Sequence, residues 1–274
     1  MSERSRNKII IGLGIVLVII ICIWGFYGPD IRDQEYSYIT DDKDKEPQTI
    51  NDIAYDVNEE YGYTIYIEEE TGYQPYLVLT NNYEDTGNVL LLREHVLDEQ
   101  QPYNDPEGET AYYKNSYIDR YLEDIYWETI SESIQKKILE SRILILNGAT
   151  YSAIKDGAEA ENIKRKVFLL SFAEVSHIAE ERDILDGKLL KYFEQERESL
   201  MATSSNEIPT VWMLRSPSLV YTTNSIVVTP ENKVGFGSVE RLKGIRPAFC
   251  LSGDLEIELS DQIEENKIVY ILSE

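Results

Sequence analysis

Two arginines stand beside prolines in stretches that are otherwise apolar: Trp212-Met213-Leu214-Arg215-Ser216-Pro217 and Gly244-Ile245-Arg246-Pro247-Ala248-Phe249-Cys250. A guanidinium has a planar fork that grips a carboxylate or sulfate through two parallel hydrogen bonds, so Arg215 and Arg246 together could form an anion clamp. The competing reading is structural. An Arg beside a strand and a turn Pro satisfies buried carbonyls or pairs with a buried acid, and we favour that reading for both. Trp212 could stack on a sugar, but a Trp embedded in an apolar strand belongs first to the core.

Other chemistry is weakly supported. Cys250 is a small residue in an apolar run, and neither His95 nor His177 stands in a nucleophile motif with it, which fits a buried cysteine. Two histidines with this spacing do not make a zinc site, and no loop has the ligand spacing of a calcium-binding hand. Ser171 and Ser216 lack the Gly-x-Ser-x-Gly setting of an activated serine, and no Gly-rich phosphate loop occurs. Carboxylates are too numerous to single out an acid–base pair, and Glu68-Glu69-Glu70 and Glu180-Glu181 read as solvated faces. No catalytic, cofactor-binding or metal-binding residue is assigned.

The 274-residue chain carries a net charge of −24. Before residue 28 the only charged residues are Glu3, Arg4, Arg6 and Lys8, so the excess falls on the remainder. Such a surface repels phosphate and disfavours nucleic acid as a partner. Hydrophobic content of 42% is enough for a core, and 20 Tyr against 6 Phe favour half-exposed strands and binding faces. The cysteines, Cys22 and Cys250, do not form a disulfide framework, because Cys22 lies in a membrane-length apolar run.

That run, Ile9 to Tyr27, has 19 uncharged residues after a basic head. At 1.5 Å per residue it spans roughly 28 Å, about one hydrocarbon thickness. Trp24 and Tyr27 suit the far interface, and the basic head favours the cytoplasm. The run is long for a signal peptide, and Gly25-Phe26-Tyr27 offers no small-x-small cleavage site. Ile21 excludes a lipoprotein reading of Cys22. The sequence therefore predicts a cytoplasmic head (1–8), a transmembrane signal anchor (9–27), an acidic flexible stalk (28–58) and an extracytoplasmic domain (59–274) at the cell membrane.

Within that domain, strands are expected at 63–67, 76–79 and 88–92, with a turn cluster from Asn81 to Gly87. Asn115 or Ser116 caps a helix facing inward through Ile118, Tyr121, Leu122 and Ile125, and Ser131 opens another with Ile134, Ile138 and Leu139. A strand at 142–146 precedes a polar excursion, Gly148 to Lys166. Val167 to Leu170 is a short buried strand, and Ser171-Phe172-Ala173-Glu174 matches a capping box opening a helix that carries Val175 and Ile178 inward. Residues 184–200 continue helically on Leu185, Leu189, Leu190 and Phe193. Short strands follow at 219–221, 226–228 and 234–236, and two more run through Leu255-Ile257-Leu259 and 267–272.

These landmarks, taken in order, resemble a family of uncharacterised bacterial domains common in Gram-positive anaerobes. They are Tyr76 to Leu79, Val89 to Leu92, Pro102-Tyr103-Asn104, Ser116 to Leu122, Lys166 to Glu174, Trp212 to Pro217 and Gly244 to Ala248, and Trp212, Arg215, Pro217, Arg246 and Pro247 mark the motifs. The family looks like a distant relative of the C-type-lectin-like fold shared with formylglycine-generating enzymes. The resemblance implies a single mixed α+β domain with a twisted, largely antiparallel sheet, several helices and long loops. It departs from the cysteine-dependent oxidases of that fold, since Cys250 is alone in the ectodomain, and Met213 and Phe249 alter the packing of the two motifs. The expectation is a membrane-anchored module that binds a glycan or protein without catalysing a reaction. Its binding face would lie on loops between Pro217 and Gly244, through Tyr221, Asn224, Asn232, Arg241 and Lys243. The alternatives are a cell-envelope hydrolase with a carboxylate pair and a structural subunit of an envelope assembly.

Overall fold

The protein is described by a computed structural model over residues 46–57, 64–105, 110–146, 159–181, 186–195, 200–218, 220–260 and 269–273. The anchor expected at 9–27 and most of the stalk lie outside these residues. Among the described residues no helix is long and apolar enough to cross a membrane. The compact unit begins at Pro47, earlier than the expected start at 59. Ile50 and Ile53, on a short 3₁₀ turn, are completely buried, and Asp52 accepts the Thr49 amide at 2.9 Å to start that turn. The polar residues of the segment concealed this, although Ala54 and Tyr55 are buried beside the two isoleucines.

The architecture is α+β and mostly sheet. The strands are β1 (Thr64–Glu69), β2 (Gly72–Tyr83), β3 (Asn88–Arg93), β4 (Ile138–Leu139), β5 (Ser141–Leu146), β6 (Ala160–Arg165) and β7 (Val167–Phe168). They continue with β8 (Trp212–Pro217), β9 (Asn224–Val228), β10 (Val234–Ser238), β11 (Ala248–Ser252), β12 (Ile257–Leu259) and β13 (Val269–Leu272). The main sheet has the order β12-β13-β1-β2-β3-β11-β4, with β7 also pairing β11. Only β1 and β13 pair in parallel among the described strands. The centre is covered on both faces: Val89 to Leu92 of β3 and Ala248 to Leu251 of β11 are fully buried. This is why both read as unbroken apolar runs rather than alternating ones. β8, β9 and β10 form a separate three-stranded sheet in the order β10-β9-β8, and β5 pairs with β6.

The helices are short. They comprise α1 (Tyr117–Arg120), a π-helical stretch Tyr121–Tyr126 that runs into α2 (Trp127–Thr129), α3 (Glu132–Gln135), α4 (Phe172–Val175), α5 (Ile178–Glu181) and α6 (Lys191–Gln195). Ser116 caps α1 by accepting the Asp119 amide at 3.3 Å, as expected. The inward face then slips. A π turn holds more residues than an α turn, so Tyr126 rather than Ile125 returns to the core: Tyr126 is buried and Ile125 is 54% exposed.

Other expectations are corrected by long-range contacts. Ile138 and Leu139 belong to β4, where they pair with β11, and not to a helix. Part of the polar excursion is strand: β6 pairs with β5 along its full length. Its polar residues are tolerated because most of β6 is exposed or half-buried. No helix runs through 186–190, and Val220 and Tyr221 are not in a strand, since β9 begins at Asn224; residue 219 of that expected strand lies outside the described residues. Ile178 sits on its own short helix because Ser176 is extended and ends α4.

The π turn makes a direct prediction for urea denaturation. Ile125→Lys should change stability by less than about 0.5 kcal/mol, as at an exposed position, whereas Leu122→Ala should cost about 2–5 kcal/mol. Comparable losses at both positions would restore the ordinary α-helical register.

Candidate functional site

Arg215 lies at the centre of the fold, and its side chain is fully buried. Its Nη1 and Nη2 donate to Glu174 Oε2 and Oε1, each at 2.7 Å. The remaining N–H groups reach the carbonyls of Leu144 (2.9 Å), Leu169 (2.8 Å) and Asp186 (2.9 Å). Burial by itself would lower the Arg215 pKa, but the Glu174 charge outweighs it and the group is raised. Glu174 is equally committed: it also accepts the Ser171 amide at 2.7 Å and the Tyr83 hydroxyl at 2.7 Å. The capping box read in the sequence is therefore real, and the same carboxylate serves as the arginine's counter-ion. Beside it Ser216 Oγ accepts the Phe172 amide at 2.6 Å and donates to Asp186. Asp186 is fully buried, and burial raises its pKa against the pull of Arg215.

This network explains the lost helix at 186–190. The Asp186 carbonyl is taken by Arg215, and the Leu190 amide donates to the Glu174 carbonyl at 3.0 Å, so the backbone bonds outward rather than along a helix. Gly187 makes the approach possible: a Cβ there would stand 2.7 Å from Glu174 Cγ and 2.8 Å from Ser171 Oγ.

Arg246 is also internal. Nε donates to the Arg93 carbonyl at 2.9 Å, and Cζ lies 4.9 Å from the Trp212 ring centroid. Nη1 has no hydrogen-bond partner among the described residues, and burial lowers the pKa to about 10. The indole of Trp212 donates to the Leu200 carbonyl at 2.9 Å. Pro247 accepts the Arg93 amide at 2.9 Å, and Pro217 ends β8 opposite Ser225. Gly244 lets the motif close against β8, where a Cβ would sit 2.8 Å from the Val211 carbonyl oxygen. Both arginines are buried and bonded to the protein itself, as staples between segments.

A second buried cluster has no motif in the sequence. Arg93 Nε donates to Glu69 Oε1 at 3.0 Å, and the hydroxyls of Tyr76 and Tyr126 reach the same oxygen at 2.7 and 2.8 Å. The partners come from β1, β2, β3 and the π-helical stretch, so sequence proximity offered no signal. Glu69 had been read as part of a solvated face. Cys250 is fully buried, and burial raises its thiol to about 12, so it is inert as a nucleophile at neutral pH.

The five loop candidates do not converge. Lys243 is buried; its ammonium donates to the carbonyls of Ser238 and Arg241, and its backbone pairs with Gln101. Burial lowers it to about 8, with Arg241 adding to the effect. It anchors the loop and is not available to a ligand. Asn232 takes φ 59° in the β9–β10 turn, where its amide donates to the Thr229 carbonyl at 3.0 Å, so turn geometry accounts for the residue. Asn224 opens β9, with its amide bonded to the Tyr221 carbonyl at 3.0 Å. Arg241 is exposed. Tyr221 is 55% exposed and meets Phe236, 44% exposed, edge to face at 6.2 Å. Phe236 was not among the candidates, although its place between Gly235 and Gly237 leaves it conspicuous. Beside it Phe172, Ile178, Ile226, Val234, Gly235 and Phe236 line an apolar groove of about 100 Å³.

A polar cleft of about 290 Å³ lies elsewhere, between the end of β2 with its turn and residues 188–194. Two breaks in the β2–β3 register redirect the chain after Val78, and Thr80 donates to Asp56 at 2.5 Å. Glu84 and Asp85 both adopt left-handed backbone (φ 51° and 59°). Asp85 pairs with Lys188, and burial raises the Glu84 carboxyl.

The fold and its two arginine staples thus define a mixed α+β domain. Residues 86–253 match the family described as Domain of unknown function (DUF6273), and the chain belongs to that family. No curated protein and no solved structure matches the chain.

Glu174→Gln should cost about 3–5 kcal/mol in denaturant unfolding, because it leaves the buried Arg215 charge uncompensated. Replacing Glu174 and Arg215 together by Met should still cost more than about 2 kcal/mol, since three carbonyls then lose their donors. Arg246→Ala should lower the melting temperature before it affects binding; a variant that melts normally would refute the staple.

Alkali supplies a further test. Burial raises Tyr76, Tyr83, Tyr103, Tyr113 and Tyr126 well above the usual tyrosine value. Their stabilising contribution is complete below about pH 10, the ordinary tyrosine pKa, and is lost as pH rises above it. Absorbance at 295 nm should show a tyrosinate step that coincides with loss of circular dichroism.

Proposed function

We propose that this protein is a binding module held outside the membrane by the apolar segment 9–27, with no catalytic role. Its ligand surface is the ridge formed by Tyr221 and Phe236. The observation that carries this reading is the pairing of two half-exposed aromatic rings at 6.2 Å at an apolar groove, one before β9 and one on β10, in a segment bracketed by two buried arginines. Aromatic side chains supply large contact area at low conformational cost, and clustered exposed rings are where binding energy concentrates. The resemblance to C-type-lectin-like folds supports the same division of labour, a rigid sheet that presents ligand-binding loops. The charged groups that could do chemistry near the staples are spent on one another: Glu174 accepts four hydrogen bonds and Arg215 donates five.

A second reading has one observation in its favour. Glu84 is a half-buried carboxyl, raised by burial, in the polar cleft that also contains Asp56 and Glu194. A hydrolase would use it as the acid, with a second carboxylate across the cleft.

A glycan and peptide array probed with the full chain in detergent separates the two. Tyr221→Ala should weaken capture of the ligand at least about tenfold while the melting temperature stays unchanged, the signature of an exposed contact residue. Lys243→Ala should lower the melting temperature, because it removes the anchor of the loop. Release of sugar from cell-wall material that Glu84→Gln abolishes would instead favour the hydrolase.

A further inference from the structure

We propose that the polar cleft between the β2–β3 turn and residues 188–194 binds the ammonium group of a small organic amine, with the Glu84 carboxylate as its counter-ion. The site shares no residue with the Tyr221–Phe236 ridge and does not depend on it. Four carboxylates line the cleft, Asp56, Glu84, Asp85 and Glu194, against the two lysines Lys188 and Lys191. Most of these groups are committed. Asp56 accepts the Thr80 hydroxyl at 2.5 Å and the Asn81 amide at 3.1 Å. Asp85 pairs with Lys188, Lys191 is engaged as well, and Glu194 is exposed to water. Glu84 differs from all of them: it is half-buried and makes neither a hydrogen bond nor an ion pair with a described residue. Burial and the Glu174 charge raise its carboxyl, and the more distant charges of Arg215 and Lys188 offset this only in part. The hydrolase reading needs this carboxyl protonated, whereas an amine holds it ionised.

The backbone holds that carboxylate in place under strain. The Thr86 amide donates to the Tyr83 carbonyl at 3.1 Å around Glu84 and Asp85, both left-handed at φ 51° and 59°. Two consecutive left-handed residues are the pattern of a type I′ turn, for which Asn-Gly is the relaxed choice. Glu and Asp there cost about 1 kcal/mol each, and strain of this kind collects where a side chain is held for a function. The chemistry of the cleft then selects the ligand. An anion would meet surplus carboxylate, because both lysines are already engaged. A metal needs several converging ligands, and no group of three or more His, Cys, Asp or Glu able to hold one occurs among the described residues. An ammonium needs one carboxylate and a few neutral acceptors, and Glu84 supplies them together with the side-chain oxygens of Thr80 and Asn82, which also line the cleft. Leu189 and Leu190 add an apolar wall for the methylene groups of the amine. At about 290 Å³ the cleft has room for a lysine side chain or one amino-sugar ring.

The test is saturation-transfer NMR on cadaverine, a linear diamine, titrated against the full chain in detergent at low ionic strength, where screening is weak. Saturable binding with Kd on the order of 1 mM is expected for one ammonium group. Glu84→Gln keeps the shape of the side chain and should weaken binding at least about tenfold, the loss of one charge-assisted hydrogen bond. Replacing Glu84-Asp85 by Asn-Gly relaxes the turn, so it should abolish binding in a protein that melts no lower. Tyr221→Ala should leave cadaverine binding unchanged, so that failure of the ridge and failure of the cleft are told apart. N-acetyl-lysine amide and glucosamine, titrated in the same way, distinguish a lysine side chain from an amino sugar by which of them binds more tightly. The proposal is overturned if cadaverine does not saturate, or if Glu84→Gln or the Asn-Gly variant binds it equally well. Glutarate binding as tightly as cadaverine would overturn it by assigning the cleft to anions through its lysines. Displacement of cadaverine by equimolar calcium would overturn it in favour of a metal.

Discussion

A buried guanidinium–carboxylate pair governs the organisation of this domain. Arg215 and Glu174 exchange two hydrogen bonds of 2.7 Å with both side chains fully enclosed. Removing two charges from water costs several kcal/mol per ion, so such a pair persists only when every remaining donor and acceptor is matched. Here the matching draws in Tyr83 from β2, Leu144 from β5, Ser171 at the start of α4 and the Asp186 carbonyl. Each of these segments is fixed by a bond it makes to a charge. The polar network acts as a locating device, and the apolar packing around it supplies the driving force.

The two arginine motifs join the small sheet to the main one in different ways. Arg215 bonds carbonyls and an acid, whereas Arg246 combines one carbonyl bond to Arg93 with the face of Trp212. Arg93 is itself the partner of Glu69, so the second staple rests on a second buried ion pair. Between the staples, residues 218–243 carry the half-exposed rings.

Much of the fold was legible in local pattern. β3 and β11 announced themselves as apolar runs, Ser116 and Ser171 as helix caps, and Arg215 and Arg246 as internal staples. These signals are short-range: burial on both faces, one hydroxyl and one carboxylate three residues apart, a cation amid apolar neighbours. The proposed binding face was legible only in part. Tyr221 and Lys243 were both expected on it, but Lys243 is a buried anchor, and Phe236, expected only as part of a short strand, is half-exposed beside Tyr221.

What needed the tertiary structure was everything decided by partners far apart in the chain. Helical spacing at 184–200 was outweighed at 186–190 by bonds to Arg215 and Glu174, which the local pattern does not contain. Ile125 turned outward because a π turn shifted the register by its wider winding. Glu69, one of three consecutive glutamates, became buried because Arg93, Tyr76 and Tyr126 converge on it from other elements. Periodicity and capping are written in neighbouring residues, so the chain alone could state them. Which side chain is enclosed, and which edge stays open, depends on what folds over it, and that is a property of contacts between distant segments.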